Sequence, residues 1–209
     1  MKKNLLILLV ICLSIFTLAL LTACASDKNT KVTETLVPEP PPPPPPEPEP
    51  EPVSKDDALT HFEEGMALLR DGKNDEAIKA FDEALAINSD LADAYFYRGI
   101  ANFDNGSIDQ AIADWDKTLS IQSNYFEALN NRGVAYRNKG DVDKAIEDYT
   151  AALRIKPDYP IALNNRGIAY DYKEDYDKAV SDWEEVLRIE PNHANAKASI
   201  ERIQQLRGN

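Results

Sequence analysis

Small and aromatic residues recur at one fixed interval through the second half of the chain. The interval is 34 residues, and it holds for three residue classes at once. The recurring positions are glycine at 65, 99, 133 and 167, alanine at 77, 111, 145 and 179, and the aromatic residues Phe81, Trp115, Tyr149 and Trp183. A strict period of this length is typical of a solenoid of helical hairpins, in which each hairpin packs on its neighbours. The pattern therefore predicts a domain that displays a surface rather than one that houses a catalytic centre.

The residue types at these positions fit two antiparallel helices in close contact. Gly133 and Ala145 are small where the helices must approach each other, and Tyr149 follows Ala145 by four residues, on the same helix face. Glycine also recurs between the helices, at 72, 106 and 140, where a positive φ is useful in a turn. Glu174 takes that place in the fourth unit, so the sequence predicts a differently built turn there. Prolines near the unit ends, such as Pro157 and Pro191, stop the second helix, and serines stand there in the first two units.

These residues resemble the tetratricopeptide repeat, a helix–turn–helix unit, over residues 58–193. The third unit shows the pattern as Leu129, Gly133, Tyr136, Ala145, Tyr149, Ala152 and Pro157. The resemblance implies an all-α fold within residues 55–209, a short right-handed solenoid. Its four hairpins would be residues 58–91, 92–125, 126–159 and 160–193. A final helix over 194–207 would cap the open end with a stripe of Ala196, Ile200, Ile203 and Leu206.

One feature departs from the common pattern of that family. The second, third and fourth units place an arginine in the first helix where leucine is frequent, and an aspartate in the second helix. The pairs are Arg98 with Asp114, Arg132 with Asp148, and Arg166 with Asp182. Glu64 and Ala80 replace both partners in the first unit. Since the two positions lie nearly opposite each other in a hairpin, the sequence predicts a structural ion pair in three units and none in the first.

The resemblance further implies that the first helix of each unit lines a concave face. The residues expected to form a protein-binding groove are Phe62, Met66, Phe96, Tyr97, Ile100 and Phe103 in the first half, and Asn130, Asn131, Val134, Asn164, Asn165 and Ile168 in the second. The first half is apolar and aromatic, which suits a partner's apolar side chains. The asparagine amides suit an extended peptide backbone. Two alternatives remain: the aromatic residues pack on one another or on the N-terminal segment, and the asparagines are merely solvated.

The N-terminal region has the features of a leader that directs the chain to a membrane. Lys2 and Lys3 precede an apolar run from Leu5 to Leu20, which is too short and wrongly flanked for a membrane span. The run ends in Leu21-Thr22-Ala23-Cys24, which resembles the lipobox of bacterial lipoproteins. That family implies cleavage after residue 23 and lipidation of Cys24, which anchors the chain outside the cytoplasm. The alternative to a cleaved leader over residues 1–23 is an uncleaved anchor helix in which Cys24 has no role. Ala25 is not aspartate, which favours the periplasmic face of an outer membrane where the cell has one.

Residues 24–54 form the expected tether. Residues 38–52 consist of proline and glutamate alone, and proline restricts this stretch to polyproline II. At about 3.1 Å per residue, the stretch spans roughly 45 Å. The simplest interpretation is that it holds the folded domain clear of the lipid; a proline-rich ligand or a strut across peptidoglycan is the alternative.

Composition narrows the possible functions. The chain carries a formal charge of −13, and residues 55–209 contain 30 acidic and 19 basic residues. Such a surface repels phosphate backbones, so nucleic acid is a poor partner. The only cysteines, Cys12 and Cys24, precede the repeats, and His61 and His193 lie at opposite ends of them. We find no phosphate loop, serine elbow or metal-ligand spacing, and expect neither catalysis, metal nor cofactor.

The leading hypothesis is a membrane-anchored adaptor or scaffold of the bacterial cell envelope that binds other envelope proteins or their extended segments. An alternative is a transport accessory lipoprotein that binds a small apolar ligand near Phe62, Phe96 and Phe103. A closed cavity of a few hundred Å³ would favour the ligand, and an open groove favours the adaptor. A third possibility is self-association through the first repeat, where no N-terminal cap is evident.

Overall fold

The computed structural model describes residues 54–208, and the predicted leader, Cys24 and the predicted proline-rich tether up to residue 53 lie outside them. The described part of the chain consists of α-helices without strands. The helices are α1 (Lys55–Arg70), α2 (Asn74–Ile87), α3 (Ala92–Asp104), α4 (Ile108–Ile121), α5 (Phe126–Asn138), α6 (Val142–Ile155), α7 (Pro160–Tyr172), α8 (Tyr176–Ile189) and α9 (Ala194–Gly208). The all-α repeat fold predicted from the 34-residue period is therefore confirmed.

The nine helices over residues 54–208 form four hairpins and a final single helix. The pairs α1–α2, α3–α4, α5–α6 and α7–α8 pack as hairpins, and each second helix also packs on the first helix of the next hairpin. Successive first helices touch one another, so α1, α3, α5 and α7 lie side by side on the inner face. A potential binding surface is therefore built from first helices.

Helix α1 begins at a capping box. The backbone N–H of Asp57 donates to the Ser54 hydroxyl (3.3 Å), and the backbone N–H of Ser54 donates to the Asp57 carboxylate (2.7 Å). The two bonds satisfy donors that the first turn leaves without an intrahelical partner. This local chemistry fixes the start of the first hairpin at Lys55.

Each hairpin closes around a glycine that faces an aromatic ring. A Cβ built on Gly65, Gly99, Gly133 or Gly167 would lie 2.5 to 2.9 Å from the nearest ring atom of Phe81, Trp115, Tyr149 or Trp183. These four rings are at most 1% exposed. The recurring glycine and aromatic residue thus form one contact between the two helices, and this contact repeats in each hairpin.

The turn of the fourth hairpin differs from the sequence prediction. Glu174 has φ 59°, in the same left-handed region as Gly72, Gly106 and Gly140 (φ 74° to 85°). Its N–H donates to the carbonyl of Asp171 at 2.9 Å, as the N–H of Gly140 does to Arg137. The expectation of a different turn was wrong, because the surrounding helix ends hold glutamate in a conformation that usually favours glycine.

Helix α9 covers the last hairpin. Ala196, Ile200 and Ile203 are buried and share a cluster with Trp183 and Val186. Leu206 was expected in the same stripe but is 53% exposed. The cap therefore uses its first three turns to cover α8 and leaves an apolar side chain at its end.

The opposite end of the stack is polar. In the second unit, Tyr95 and Arg98 face the preceding hairpin. The equivalent residues of the first unit, 34 positions earlier, are His61 and Glu64. His61 Nδ1 lies 3.0 Å from a carboxylate oxygen of Glu83. A polar outer face at a terminal repeat favours solubility over stacking, which argues against self-association through the first repeat.

Candidate protein-binding groove

Three arginines join the hairpins to one another. Arg132 donates from Nε (2.9 Å) and Nη2 (2.7 Å) to the two oxygens of Asp148, and from Nη1 to Asp116 of the preceding hairpin (2.5 Å). Arg98 contacts Asp114 and Asp82 in the same way. The hydrogen bonds that Arg132 donates to Asp148 raise the pKa of the Arg132 guanidinium above its ordinary value. Each fork therefore links two repeats and holds them in one orientation.

The sequence predicted only half of this network. In the fourth unit Arg166 pairs with Asp182 (2.7 Å) and donates to Thr150 of the third unit (3.2 Å). The partners in the preceding repeat recur with the 34-residue step, as Asp82, Asp116 and Thr150. That recurrence was the available signal, and it indicated contacts between repeats as well as within them.

A second ladder runs along the turns. The residue after each first helix reaches an acidic residue at the start of the preceding second helix, 30 positions earlier. The contacts are Asn105 with Asp75, Lys139 with Asp109, and Lys173 with Asp143, and Arg207 of α9 contacts Asp177 in the same register. Exposed pairs of this kind stabilise little individually. Together with the arginine ion pairs, these contacts constrain the orientation of each hairpin relative to the preceding one, and therefore the shape of the inner face.

The aromatic residues of the first two units pack mainly on one another. The Phe96 ring is stacked on Tyr125 with centroids 4.7 Å apart and meets Tyr97 edge-on at 5.0 Å. Phe62 lies 6.0 Å from Tyr97 and from Phe81. Phe96 is 7% exposed, so it supports the groove from beneath, contrary to the sequence prediction that it lines the groove. Of the predicted aromatic contacts, Phe62, Tyr97 and Phe103 remain partly exposed.

The asparagines of the second half also bond internally. Asn130 is 3% exposed; it accepts from Asn165 Nδ2 (3.0 Å) and donates to Asn131 Oδ1 (3.2 Å). Asn164 accepts from the Trp183 indole (3.2 Å). The amides therefore form a structural link between the third and fourth repeats. Asn130 is too buried to contact a partner, whereas Asn131 and Asn165 remain partly exposed on the inner face.

Exposed apolar surface concentrates on α7, where the sequence predicted chiefly asparagines. Ile161 is 56% exposed, Ile168 38% and Tyr172 76%. Their spacing of seven and four residues places them on one side of the helix. The large apolar residues of the first half are instead partly covered by their neighbours, with Leu59 as the exception at 49%. The groove is therefore most apolar at its C-terminal end.

A small concavity lies between α3 and α5. It has a volume of about 210 Å³ and is lined by Ile100, Phe103, Asp104, Trp115, Asn131 and Val134. It is half open to solvent rather than enclosed, and Phe62 and Phe96 are not part of its lining. This geometry suits a side chain of a bound segment better than a sequestered ligand.

The buried ring of the third unit carries a hydroxyl that finds no hydrogen-bond partner within residues 54–208. Tyr149 is fully buried, and burial raises the pKa of its phenol to about 12. Phe81 occupies the equivalent place in the first unit without a polar atom. An unsatisfied buried hydroxyl costs roughly 1 to 3 kcal/mol.

We therefore expect Tyr149→Phe to stabilise the domain by about 1 kcal/mol at pH 7, as urea unfolding would show. The raised pKa means that the folded state binds the phenolic proton more tightly than the unfolded state. Native stability should fall as the pH rises from about 10 toward about 12. The Tyr149→Phe variant should lose less stability over that range. Tyr172→Phe, at an exposed site, is the control, and equal alkaline losses in all three proteins would contradict the assignment.

Within residues 54–208, no helix has both the length and the apolar character needed to cross a bilayer. The same described part of the chain contains no cluster of three histidine, cysteine or acidic side chains arranged to hold a metal ion.

Family models of the tetratricopeptide repeat match residues 62–125, 126–159 and 160–193 without a gap, which is more than half of the chain. The chain belongs to the tetratricopeptide repeat family. Proteins of this family are generally scaffolds without enzymatic activity, and the fold mediates protein–protein interactions. No curated protein sequence matches the chain.

Solved structures share the fold. A structure of MamA is 28% identical with a TM-score of 0.62, and the match covers 66% of this chain and 81% of MamA. PilF of Pseudomonas aeruginosa is 20% identical with a TM-score of 0.66, covering 74% of this chain and 71% of PilF. The first repeat domain of Spaghetti (RPAP3), bound to the HSP90 peptide SRMEEVD, is 23% identical with a TM-score of 0.57, covering 58% of this chain and 97% of that domain.

Proposed function

We propose that this protein is a lipid-anchored adaptor of the bacterial cell envelope whose inner face binds an extended segment of another protein. The observation that carries the proposal is the inner face of α1, α3, α5 and α7, where partly exposed apolar and amide side chains stand on a scaffold held by inter-repeat ion pairs. The peptide bound by the Spaghetti domain supports this use of the fold. Catalysis would then belong to the partner.

The composition and the concavity favour this role over the alternatives. The half-open concavity between α3 and α5 gives an apolar ligand no enclosed site, so a transport accessory is the weaker hypothesis. The acidic surface is unfavourable for nucleic acid. It is equally unfavourable for an acidic peptide of the kind that Spaghetti binds, so we expect a partner of different charge.

The membrane anchor is proposed from the sequence. A basic start, an apolar run and the Leu21–Cys24 motif support lipidation of Cys24. Several acyl chains bind a bilayer far more firmly than one. Ala25 in place of aspartate supports the periplasmic face of an outer membrane, with the tether holding the domain away from the lipid.

Cys24→Ser should abolish lipidation and release the protein from the membrane. Metabolic labelling with a palmitate analogue is expected to mark the native protein and the Cys12→Ser control, because residue 12 would leave with the leader. When a detergent extract is separated into aqueous and detergent phases, the native protein should be recovered in the detergent phase. Labelling of Cys24→Ser, or membrane retention equal to the native form, would contradict the anchor.

The adaptor role is tested by co-purification after crosslinking in intact cells. The comparison is between the native chain and a Tyr97→Ala, Asn131→Ala variant, because both residues are partly exposed on the inner face. We avoid Phe96 and Asn130, whose burial would confuse lost binding with lost folding. A protein that is recovered with the native chain and with the control Glu184→Gln, but depleted at least fivefold with the variant, supports the proposal. Equal recovery with all three contradicts it.

A further inference from the structure

We infer that the partner segment is basic and apolar, and that it binds across the second, third and fourth repeats with a cationic side chain between Asp93 and Glu127 and apolar side chains along α7. This inference rests on the proposed function and specifies the partner for the same groove. The acidic residues of the inner face would bind the basic side chain of the segment, and the exposed apolar residues of α7 would bind its apolar side chains.

The acidic part is a pocket at the edge of the groove. It has a volume of about 500 Å³, and its lining includes Asp93, Tyr125, Phe126, Glu127 and Ile155. Two carboxylates from successive first helices thus face one space with two aromatic rings, an arrangement that suits a lysine or arginine side chain.

Among residues 54–208, neither carboxylate of the pocket forms an ion pair with a lysine or arginine. The Tyr125 hydroxyl donates to Asp93 (2.8 Å). Burial is the main cause, and this hydrogen bond the second, of the raised pKa of the Tyr125 phenol, so the phenol stays protonated and donates to the carboxylate. The Lys156 ammonium lies over the Phe126 ring at 4.5 Å, so part of the lining already accommodates a cation. Neither contact places a positive charge against the Asp93 and Glu127 carboxylates.

The apolar part begins at the same level of the groove. Asp93, Glu127 and Ile161 are separated by the 34-residue step, so they occupy equivalent positions on α3, α5 and α7. Adjacent helices lie about 8 to 10 Å apart, a distance that about three residues of an extended peptide span. A basic residue over Glu127 would place an apolar residue about three positions away over Ile161.

The stripe runs along α7, and one exposed apolar residue of the cap lies in register with its end. Ile168 and Tyr172 follow Ile161 on one side of α7, and Leu206 of α9 stands one repeat beyond Tyr172. Ile161, Tyr172 and Leu206 are each more than half exposed. An apolar surface of this extent at the end of a groove marks an interaction site.

Charge decides which partner covers the stripe. The acids Glu63, Asp93, Asp104 and Glu127 share the 34-residue register of the inner-face residues Tyr97, Ile161 and Tyr172, and they outnumber the bases in register with the same face, Arg70 and Arg137. Asp171 is not counted, because Arg202 of α9 pairs with it (2.5 Å). An acidic segment, including the chain's own glutamate-rich tether, would be repelled. A basic segment is attracted and oriented by the same field, and its apolar residues can then be buried on α7.

The test selects peptides on the full-length chain in detergent micelles. A randomised library of ten-residue peptides is the probe, and affinities of the enriched peptides are measured by fluorescence anisotropy. We expect enrichment of lysine or arginine about three residues from isoleucine, leucine or an aromatic residue. Affinity should fall roughly tenfold in Ile168→Ser and in Asp93→Asn, Glu127→Gln. It should stay within twofold in the controls Leu59→Ser, an apolar residue of the first repeat that is more exposed than Ile168 (49% against 38%), and Glu184→Gln.

The remaining outcomes are distinct. Enrichment of acidic peptides, or binding that Tyr97→Ala, Asn131→Ala weakens but the α7 and pocket variants do not, would overturn the inference and leave the adaptor function standing. An equal loss in Leu59→Ser and Ile168→Ser would also overturn it, because binding would not be localised. Enrichment of no peptide of any composition would reject the groove as an extended-segment site, and with it the proposed function.

Discussion

Gly133→Ala is expected to destabilise the domain by about 3 kcal/mol, although alanine ordinarily favours a helix over glycine. The added Cβ would lie 2.7 Å from a ring carbon of Tyr149 and 3.2 Å from the backbone oxygen of Ala145. Tyr149 is fully buried and the carbonyl belongs to the facing helix, so neither neighbour can move without opening the hairpin. Urea unfolding followed by circular dichroism measures the loss.

The control separates this clash from backbone strain. Gly140 has φ 85° and nothing within 4 Å of a built Cβ, so Gly140→Ala should cost only about 1 kcal/mol, from the left-handed conformation alone. If the two variants were equally stable, close helix approach would not be the reason for the recurring glycine.

Asp148→Ala is expected to cost about 3 kcal/mol, because it leaves the Arg132 guanidinium partly buried with only Asp116 as partner. The Arg132→Ala variant should be destabilised by a similar amount, since it removes the ionic partner of the Asp148 carboxylate, which is almost fully buried. The double variant should lose at least 1 kcal/mol less than the sum of the two single losses.

Exposed Arg154→Ala on α6 is the control for arginine removal and should change the stability by less than about 0.5 kcal/mol. Strictly additive losses in the Arg132 and Asp148 cycle would show that the two side chains do not interact in solution.

The sequence predicted the fold well because the fold repeats. A small residue and a ring in register, such as Gly133 with Tyr149, identify a helix contact wherever they recur, and a chain of such contacts defines the solenoid. Arg132 and Asp148 could be paired for the same reason, because the hairpin places their two positions opposite each other.

The groove was harder to predict, because exposure there depends on neighbours that the repeat pattern does not specify. Phe96 is covered because Tyr125, at the end of the same unit, carries a ring large enough to stack on it. Asn130 is buried because Asn165 of the next unit donates to it. Ile161 and Ile168 stay exposed on α7, whose outer neighbour α9 presents different side chains from those of a full repeat. The 34-residue register predicts that these residues lie on the inner face. Which of them are exposed to solvent depends on the size of the side chains in adjacent units.

The central claim is that the inner face contacts another protein, and photo-crosslinking in intact cells tests it most directly. A photoreactive phenylalanine analogue is placed at Asn131, on the inner face of α5, or at the exposed Glu184 of the second helix α8. We expect a discrete crosslinked species from position 131 that is absent from position 184. The same species from both positions, or from position 184 alone, would contradict it.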